Sequence, residues 1–343
     1  MAKKSLLPNE PDFIDDVVID NPKGSILRRS TGLHSLDMAL SSGGNQGLPM
    51  RCVAEVYGHP HVGKSTLTYY LSGVITGHGT IDLCDVEGLD PDYLRSVLLA
   101  SGFRGHVKII DSVDKGKPRH HADMVNEMAN DLLTNPGTNA AILDSVGAFI
   151  PTAESEGEIG ESFMGRRAQT IAQFVRRINS YLIAKDQAGM AFIVNHVHSV
   201  IGGQGHITAG GETLKHIASV RIMLWQKQVI KSGDDILGYW VGGKLEKLRY
   251  GGKGREFQFV LIPDYGISKE LSAMFDCFEL GLAERGTHVK IGDKSFGFIS
   301  KLIEQAKDGN RDKFNPFFEL LDGYHDKHVL GSDPSGSGEE ADA

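Results

Sequence analysis

In the segment "VYGHPHVGKSTLTYY", Gly58, Gly63, Lys64 and Ser65 are spaced as G-x-x-x-x-G-K-[ST], a pattern that can hold a chain of phosphates. The backbone of Gly58, His59, Pro60, His61, Val62 and Gly63 would wrap the anion, with glycine where the chain turns tightly or approaches the ligand. Lys64 would reach the β and γ phosphates and Ser65 would ligate Mg2+. A helix beginning near Thr66 would point its positive end at the ligand. An apolar strand, "RCVAEVY", precedes the motif and an apolar helix, "TLTYYLSGVI", follows it, which is the context the chemistry needs. The chain is expected to bind a nucleoside triphosphate.

Two further strand ends carry carboxylates. In "AAILDSVGAF" an apolar run ends at Asp144, placed to join the Mg2+ shell through water. In "IDLCDVEGLDPDY" both Asp85 and Glu87 follow a strand, near the sheet edge where ligands of such folds bind. Either could orient and deprotonate water attacking a γ-phosphate, and spacing alone leaves both open.

A third region is defined by what it lacks. Between Ser162 and Gly211 the only acid is Asp186, in a chain of 44 acids, while Arg166, Arg167, Arg176, Arg177 and Lys185 all fall there. Ile171, Phe174, Val175, Ile178 and Leu182 recur at helical spacing as one buried stripe. Arg166 and Arg177, eleven residues apart, return to nearly the same helical angle. The glycine-rich "HSVIGGQGHITAGGE" follows the strand "MAFIVNHV". A basic helix and a glycine-rich loop near one sheet edge suggest a clamp on a nucleic-acid backbone. His196, His198, His206 and His216 are not expected to hold a metal, because such a loop fixes no ligand geometry.

The elements that must position these groups follow from hydrophobic period. From residue 31 to about 265, strands read in "CVAEVY", "GTIDLCDVE", "HVKIID", "NAAILDSV", "MAFIVNHV", "SVRIMLW" and "REFQFVLI" alternate with amphipathic helices. This predicts an α/β core with a mainly parallel, helix-covered sheet. Residues 1–30 read as an arm that needs another surface, with Phe13 and Ile14 as anchors. Residues 266–328 read as a small α-rich domain, and 329–343 as a disordered acidic tail.

Composition sets the class. The 343 residues, 40% hydrophobic, suffice for a large core and a satellite. No apolar run reaches a membrane span and no signal peptide opens the chain, so a cytoplasmic protein without a membrane partner is expected. Cys52, Cys84 and Cys277 are scattered in apolar surroundings, as buried thiols of a reducing compartment are. The net charge of −8 disfavours a nucleic-acid partner only until its distribution is seen, since acids crowd the two ends.

"DSVGAFIPTAESEGEIGESFMGRRAQ", "VNHVHSVIGG", "TAGGETLKHIASVRI" and "RRSTGLHSLDMAL" together resemble the RecA family of DNA strand-exchange recombinases, from about Gly24 to Ile303. "KQVIKSGDDILGYWV", "LEKLRY" and His196 after Asn195 resemble its phage (UvsX-like) branch, which would place the protein in host-cell cytoplasm. The resemblance implies a RecA-like ATPase core, with ATP and Mg2+ driving a helical filament on single-stranded DNA that exchanges strands with homologous duplex. Single-strand-binding protein and a loading mediator are further implied partners.

Residue by residue, the resemblance makes Glu87 the water-activating glutamate, Asp90 the adenine contact and Tyr93 the stacking tyrosine. Residues 154–165 match the first DNA-binding loop, with Met164 as its wedge. Residues 197–209 match the second, spanning His198, Gly202 and Gly203, with Ile201 as the other wedge. Arg176 matches a DNA-contacting arginine. Lys247 and Arg249 match the basic pair that reaches the ATP of a neighbouring subunit. His196 stands where bacterial members have glutamine, so the γ-phosphate sensor would be an imidazole. Arg249 replaces a lysine, and the second loop is a few residues shorter than the bacterial one.

Two rival readings follow from the same ATP site. A ring helicase or translocase on this core would leave "EGEIGESFMG" without a job. A mediator that binds ATP without exchanging strands would be expected to lose the water-activating carboxylate, and Glu87 is present.

Overall fold

The computed structural model describes residues 27–326 except 42–46, 115–116, 156–163, 185–188, 200–205, 250 and 252–253. Most of the N-terminal arm, the acidic tail, the centre of the first DNA loop, and Ile201, Gly202 and Gly203 lie outside the described residues, as do the side chains of Met164 and His198.

After a short strand at Arg28–Arg29 that pairs with Leu48–Pro49, the main elements are α1 (His34–Leu40), β1 (Cys52–Gly58), α2 (Lys64–Thr76), β2 (Thr80–Asp85) and α3 (Pro91–Ser101). Then come β3 (His106–Ile110), α4 (His121–Thr134), β4 (Thr138–Asp144), α5 (Met164–Ala184), β5 (Met190–Ser199), β6 (His206–Thr208) and α6 (Gly211–Ile217). A meander of β7 (Val220–Ser232), β8 (Asp235–Leu248), β9 (Glu256–Ile262) and β10 (Gly266–Ser268) leads into α7 (Lys269–Glu279). The large sheet has the order β10-β9-β8-β7-β1-β5-β4-β2-β3. Pairing is parallel from β7 through β1, β5, β4 and β2 to β3 and antiparallel across β7 to β10. The expected α/β class with a mainly parallel sheet is the observed one.

Parallel strands are buried on both faces, which is why β1 is an unbroken buried run, "CVAEVYG". One face packs on α1, α2 and α3 through Leu36, Leu67, Leu71 and Val97, and the other on α4 and α5. The stripe read from the sequence of α5, Ile171, Phe174, Val175, Ile178 and Leu182, is buried there, each such side chain being worth roughly 1.5–3 kcal/mol. The three cysteines are buried and unbridged.

Strand β8 was not among the sequence-read strands, and the reason is local. Gly242 and Gly243 dilute its β character, yet they exist to admit two aromatic rings. A Cβ on Gly242 would stand 2.6 Å from the ring of Trp225, and one on Gly243 2.2 Å from that of Phe257, each its own cross-strand partner. Past β10, a third cluster joins Val260 and Ile262 of the sheet to α7, α8 (Ile299–Lys307) and α9 (Asn315–His325). This region also holds a three-stranded sheet, β11 (Glu284–Arg285), β12 (Val289–Ile291) and β13 (Lys294–Gly297), where the sequence read mainly helix.

Candidate nucleotide site and nucleic-acid face

Helix α2 begins at Lys64, two residues before the sequence suggested, with Gly63 as its N-cap at φ 85°. His61 at φ 62° also takes the left-handed conformation. Gly58 is needed for space, since a Cβ there would meet the Leu224 carbonyl oxygen at 2.5 Å. A cavity of about 390 Å3 opens above the loop, lined by residues 60–66, Glu87, Tyr93, Val194, His196, Gln226, Tyr239, Val241 and Leu261.

Lys64 is buried and its Nζ donates to the His59 carbonyl at 2.9 Å. Burial pushes its pKa down, against the raising effect of Glu87 and Asp144. Asp144 ends β4 beneath the cavity; its Oδ2 accepts the Tyr69 hydroxyl at 2.8 Å and its Oδ1 accepts no well-formed hydrogen bond. Burial raises its pKa, opposed by the Ser65 and Tyr69 hydroxyls. A buried carboxylate oxygen without a well-formed hydrogen bond, near the Ser65 hydroxyl, fits a site for metal-bound water.

Geometry separates Asp85 from Glu87. Both Asp85 oxygens are taken by backbone, accepting from the N–H groups of Glu87, Gly88 and Leu89 at 3.1, 3.2 and 2.7 Å. Asp85 therefore shapes the loop, and Glu87 faces the cavity. Its Oε1 accepts the Ser145 hydroxyl and stands 3.0 Å from His196 Nε2. Partial burial works to raise its pKa, but the bonds to Ser145 and His196 prevail and hold it below the ordinary value. Asp90 caps α3, its Oδ1 accepting from the N–H groups of Asp92 and Tyr93. The Tyr93 hydroxyl is 2.7 Å from the Thr66 hydroxyl, fixing the ring at the cavity wall.

Lys247 and Arg249 do not line this cavity. Arg221 pairs with Lys247 and with Glu55 of β1, and Val220 pairs with Leu248 and with Ala54. At about 3.3 Å per residue they therefore sit roughly 10 Å or more back along the strands from Gly58. Lys247 Nζ donates to the carbonyls of Lys215 and His216, both at 2.7 Å, closing the C-terminus of α6. Arg249 is exposed.

On the other face, Arg166 and Arg176 of α5 are exposed. Arg167 Nη2 pairs with Glu154 at 3.0 and 3.3 Å. Arg177 donates to Asn126 and Asn130 of α4 and to the Tyr181 hydroxyl, so it fastens two helices. The glycine-rich segment is not loop throughout. Residues 197–199 pair antiparallel with 206–208. No group of three metal-ligating side chains occurs among the described residues.

The sequence reading missed Tyr69, Gln226 and Tyr239. The first looked like one more apolar residue of α2, and the other two come from β7 and β8, whose antiparallel pairing brings them over the loop.

A phosphate loop between β1 and α2, with carboxylates at the ends of β2 and β4, is the site plan of the phosphate-loop nucleotide-binding proteins. A family model described as the RecA N-terminal domain matches residues 16–268, and the chain belongs to the RecA family. It is 32% identical to Protein RecA of Haemophilus ducreyi over 83% of this chain and 75% of that protein. It is 30% identical to Protein RecA of Geobacter metallireducens over 91% and 88%, and 30% identical to that of Bifidobacterium longum over 78% and 64%.

Proposed function

We propose that this chain is an ATP-dependent recombinase of the phage branch, which assembles a helical filament on single-stranded DNA and exchanges strands with homologous duplex. The division into arm (1–30), ATPase core (31–265), small domain (266–328) and acidic tail (329–343) belongs to the same reading, as does action in the cytoplasm with a single-strand-binding protein and a loading mediator.

In this reading the loop 58–63 and Lys64 hold the triphosphate, Thr66 and Tyr93 the nucleoside side, and Asp90 Oδ2 the base amino group. Ser65 and, through water, Asp144 hold Mg2+, which supplies charge neutralisation at the β and γ phosphates. Glu87 is the base that takes the proton of attacking water, and its depressed pKa keeps it ionised at neutral pH. His196, bonded to Glu87 and one strand turn before the 200–205 segment, couples the γ-phosphate position to the second DNA loop. Arg166, Arg167, Arg176, His198, Gly202 and Gly203 meet the DNA backbone, and Met164 and Ile201 separate bases.

The observation that supports the reading is the placement of Lys247 and Arg249, which lie back along the strands from their own phosphate loop; in this reading they serve the γ-phosphate of a second copy. Homologous pairing tests it. Incubated with ATP, Mg2+, circular single strands and linear duplex, the protein should form joint molecules with homologous and not heterologous duplex. ATP-driven unwinding of a forked duplex without joint molecules would indicate a translocase instead.

A further inference from the structure

Helix α2 offers Asp144 two hydroxyls. Ser65 and Tyr69 are four residues apart, hence on one face of α2, and that face looks at the end of β4. Tyr69 is 4% exposed and Asp144 3%, and their contact, Tyr69 Oη to Asp144 Oδ2 at 2.8 Å, is the one bond that this carboxylate makes with good geometry. Tyrosine carries a donor that an apolar residue of equal bulk would lack, and a buried phenol usually finds a partner for it. With Oδ2 engaged, the carboxylate cannot rotate freely about its bond, and Oδ1 remains the oxygen without a partner.

We propose that Tyr69 is a positioning residue of the metal site: its hydroxyl clamps Oδ2 of Asp144 so that Oδ1 is held ready to accept a hydrogen bond from metal-bound water beside Ser65. The proposal rests on the reading of Asp144 as a ligand of the metal's water shell. Groups that touch a ligand rather than the metal fix its orientation, and their loss weakens metal affinity by about 10-fold or more.

The test is Mn2+ binding by the full-length protein with ADP, followed by the electron paramagnetic resonance of free Mn2+, alongside ADP affinity in chelator. Tyr69→Phe, which keeps the ring and removes the donor, should raise the Mn2+ half-saturation by about 10-fold and leave metal-free ADP affinity within about twofold. Tyr69→Met, filling the same buried space without a hydroxyl, should give the same metal-specific loss. Asp144→Asn should weaken Mn2+ binding at least as much, and Tyr69→Phe should add nothing in that background. If Asp144→Asn weakens Mn2+ binding while Tyr69→Phe does not, the clamp is refuted and the metal reading survives. Equal loss of ADP affinity with and without metal in both Tyr69 variants also overturns the clamp, as it marks damage to α2. If Asp144→Asn leaves Mn2+ binding unchanged, the metal reading itself falls and the clamp with it.

Discussion

Glu87 Oε1 and His196 Nε2 stand 3.0 Å apart, joining the end of β2 to β5 across the nucleotide cavity, with the Ser145 hydroxyl on the same carboxylate oxygen. Under the base assignment, Glu87→Gln should keep ATP binding and lower kcat by about 10^2–10^4-fold, since the amide takes no proton. Unhydrolysed ATP retained at the site should slow release from DNA. Single-turnover hydrolysis and DNA dissociation of the variant check both, and wild-type turnover by Glu87→Gln contradicts the assignment.

Lys247 and Arg249 separate stability from catalysis. Lys247→Ala removes two bonds to the closing carbonyls of α6 and should cost about 1 kcal/mol of stability, whereas Arg249→Ala, exposed, should cost less than about 0.5 kcal/mol. Both should lose turnover. Mixing Arg249→Ala with Lys64→Ala protein should recover part of it, because an intact loop then meets an intact arginine. Co-assembly without recovery would mean that the sites are not shared.

Adjacent arginines of α5 should behave oppositely. Arg176→Ala should weaken single-strand binding for all sequences and lower the salt slope by roughly one ion. Arg177→Ala should leave that slope alone and cost about 1 kcal/mol of stability through its lost bonds to Asn126, Asn130 and Tyr181. Salt titrations and chemical denaturation of both variants decide.

Asp276 of α7 is buried, accepting from Ser35 N–H at 3.2 Å and Gln258 Nε2 at 2.9 Å, and burial pushes its pKa up to about 7. A carboxyl that binds its proton more tightly folded than unfolded stabilises the fold below the unfolded value, and that contribution is lost as pH rises toward 7. The loss is on the order of 2–4 kcal/mol between pH 4 and 7. Asp276→Asn should flatten this part of the stability profile, and an unaltered slope in denaturation at pH 5, 6 and 7 would show that the proton sits elsewhere.

The parts legible in sequence are those fixed by local pattern. The phosphate loop, the buried strands and the α5 stripe each need only neighbouring residues to be recognised. What stayed hidden depends on partners distant in the chain. Asp85 and Glu87 are alike until the backbone claims Asp85, and Arg177 resembles Arg166 until Asn126 and Asn130 meet it. Strand β8 was concealed by glycines that make sense only once Trp225 and Phe257 lie on them.

The account as a whole turns on assembly, which electron microscopy observes directly. Wild-type protein with a slowly hydrolysed ATP analogue, Mg2+ and single-stranded DNA should form continuous helical filaments, and Lys64→Ala should form few or none. Closed rings or dispersed single subunits on the DNA, under conditions where ATP is bound, would contradict it.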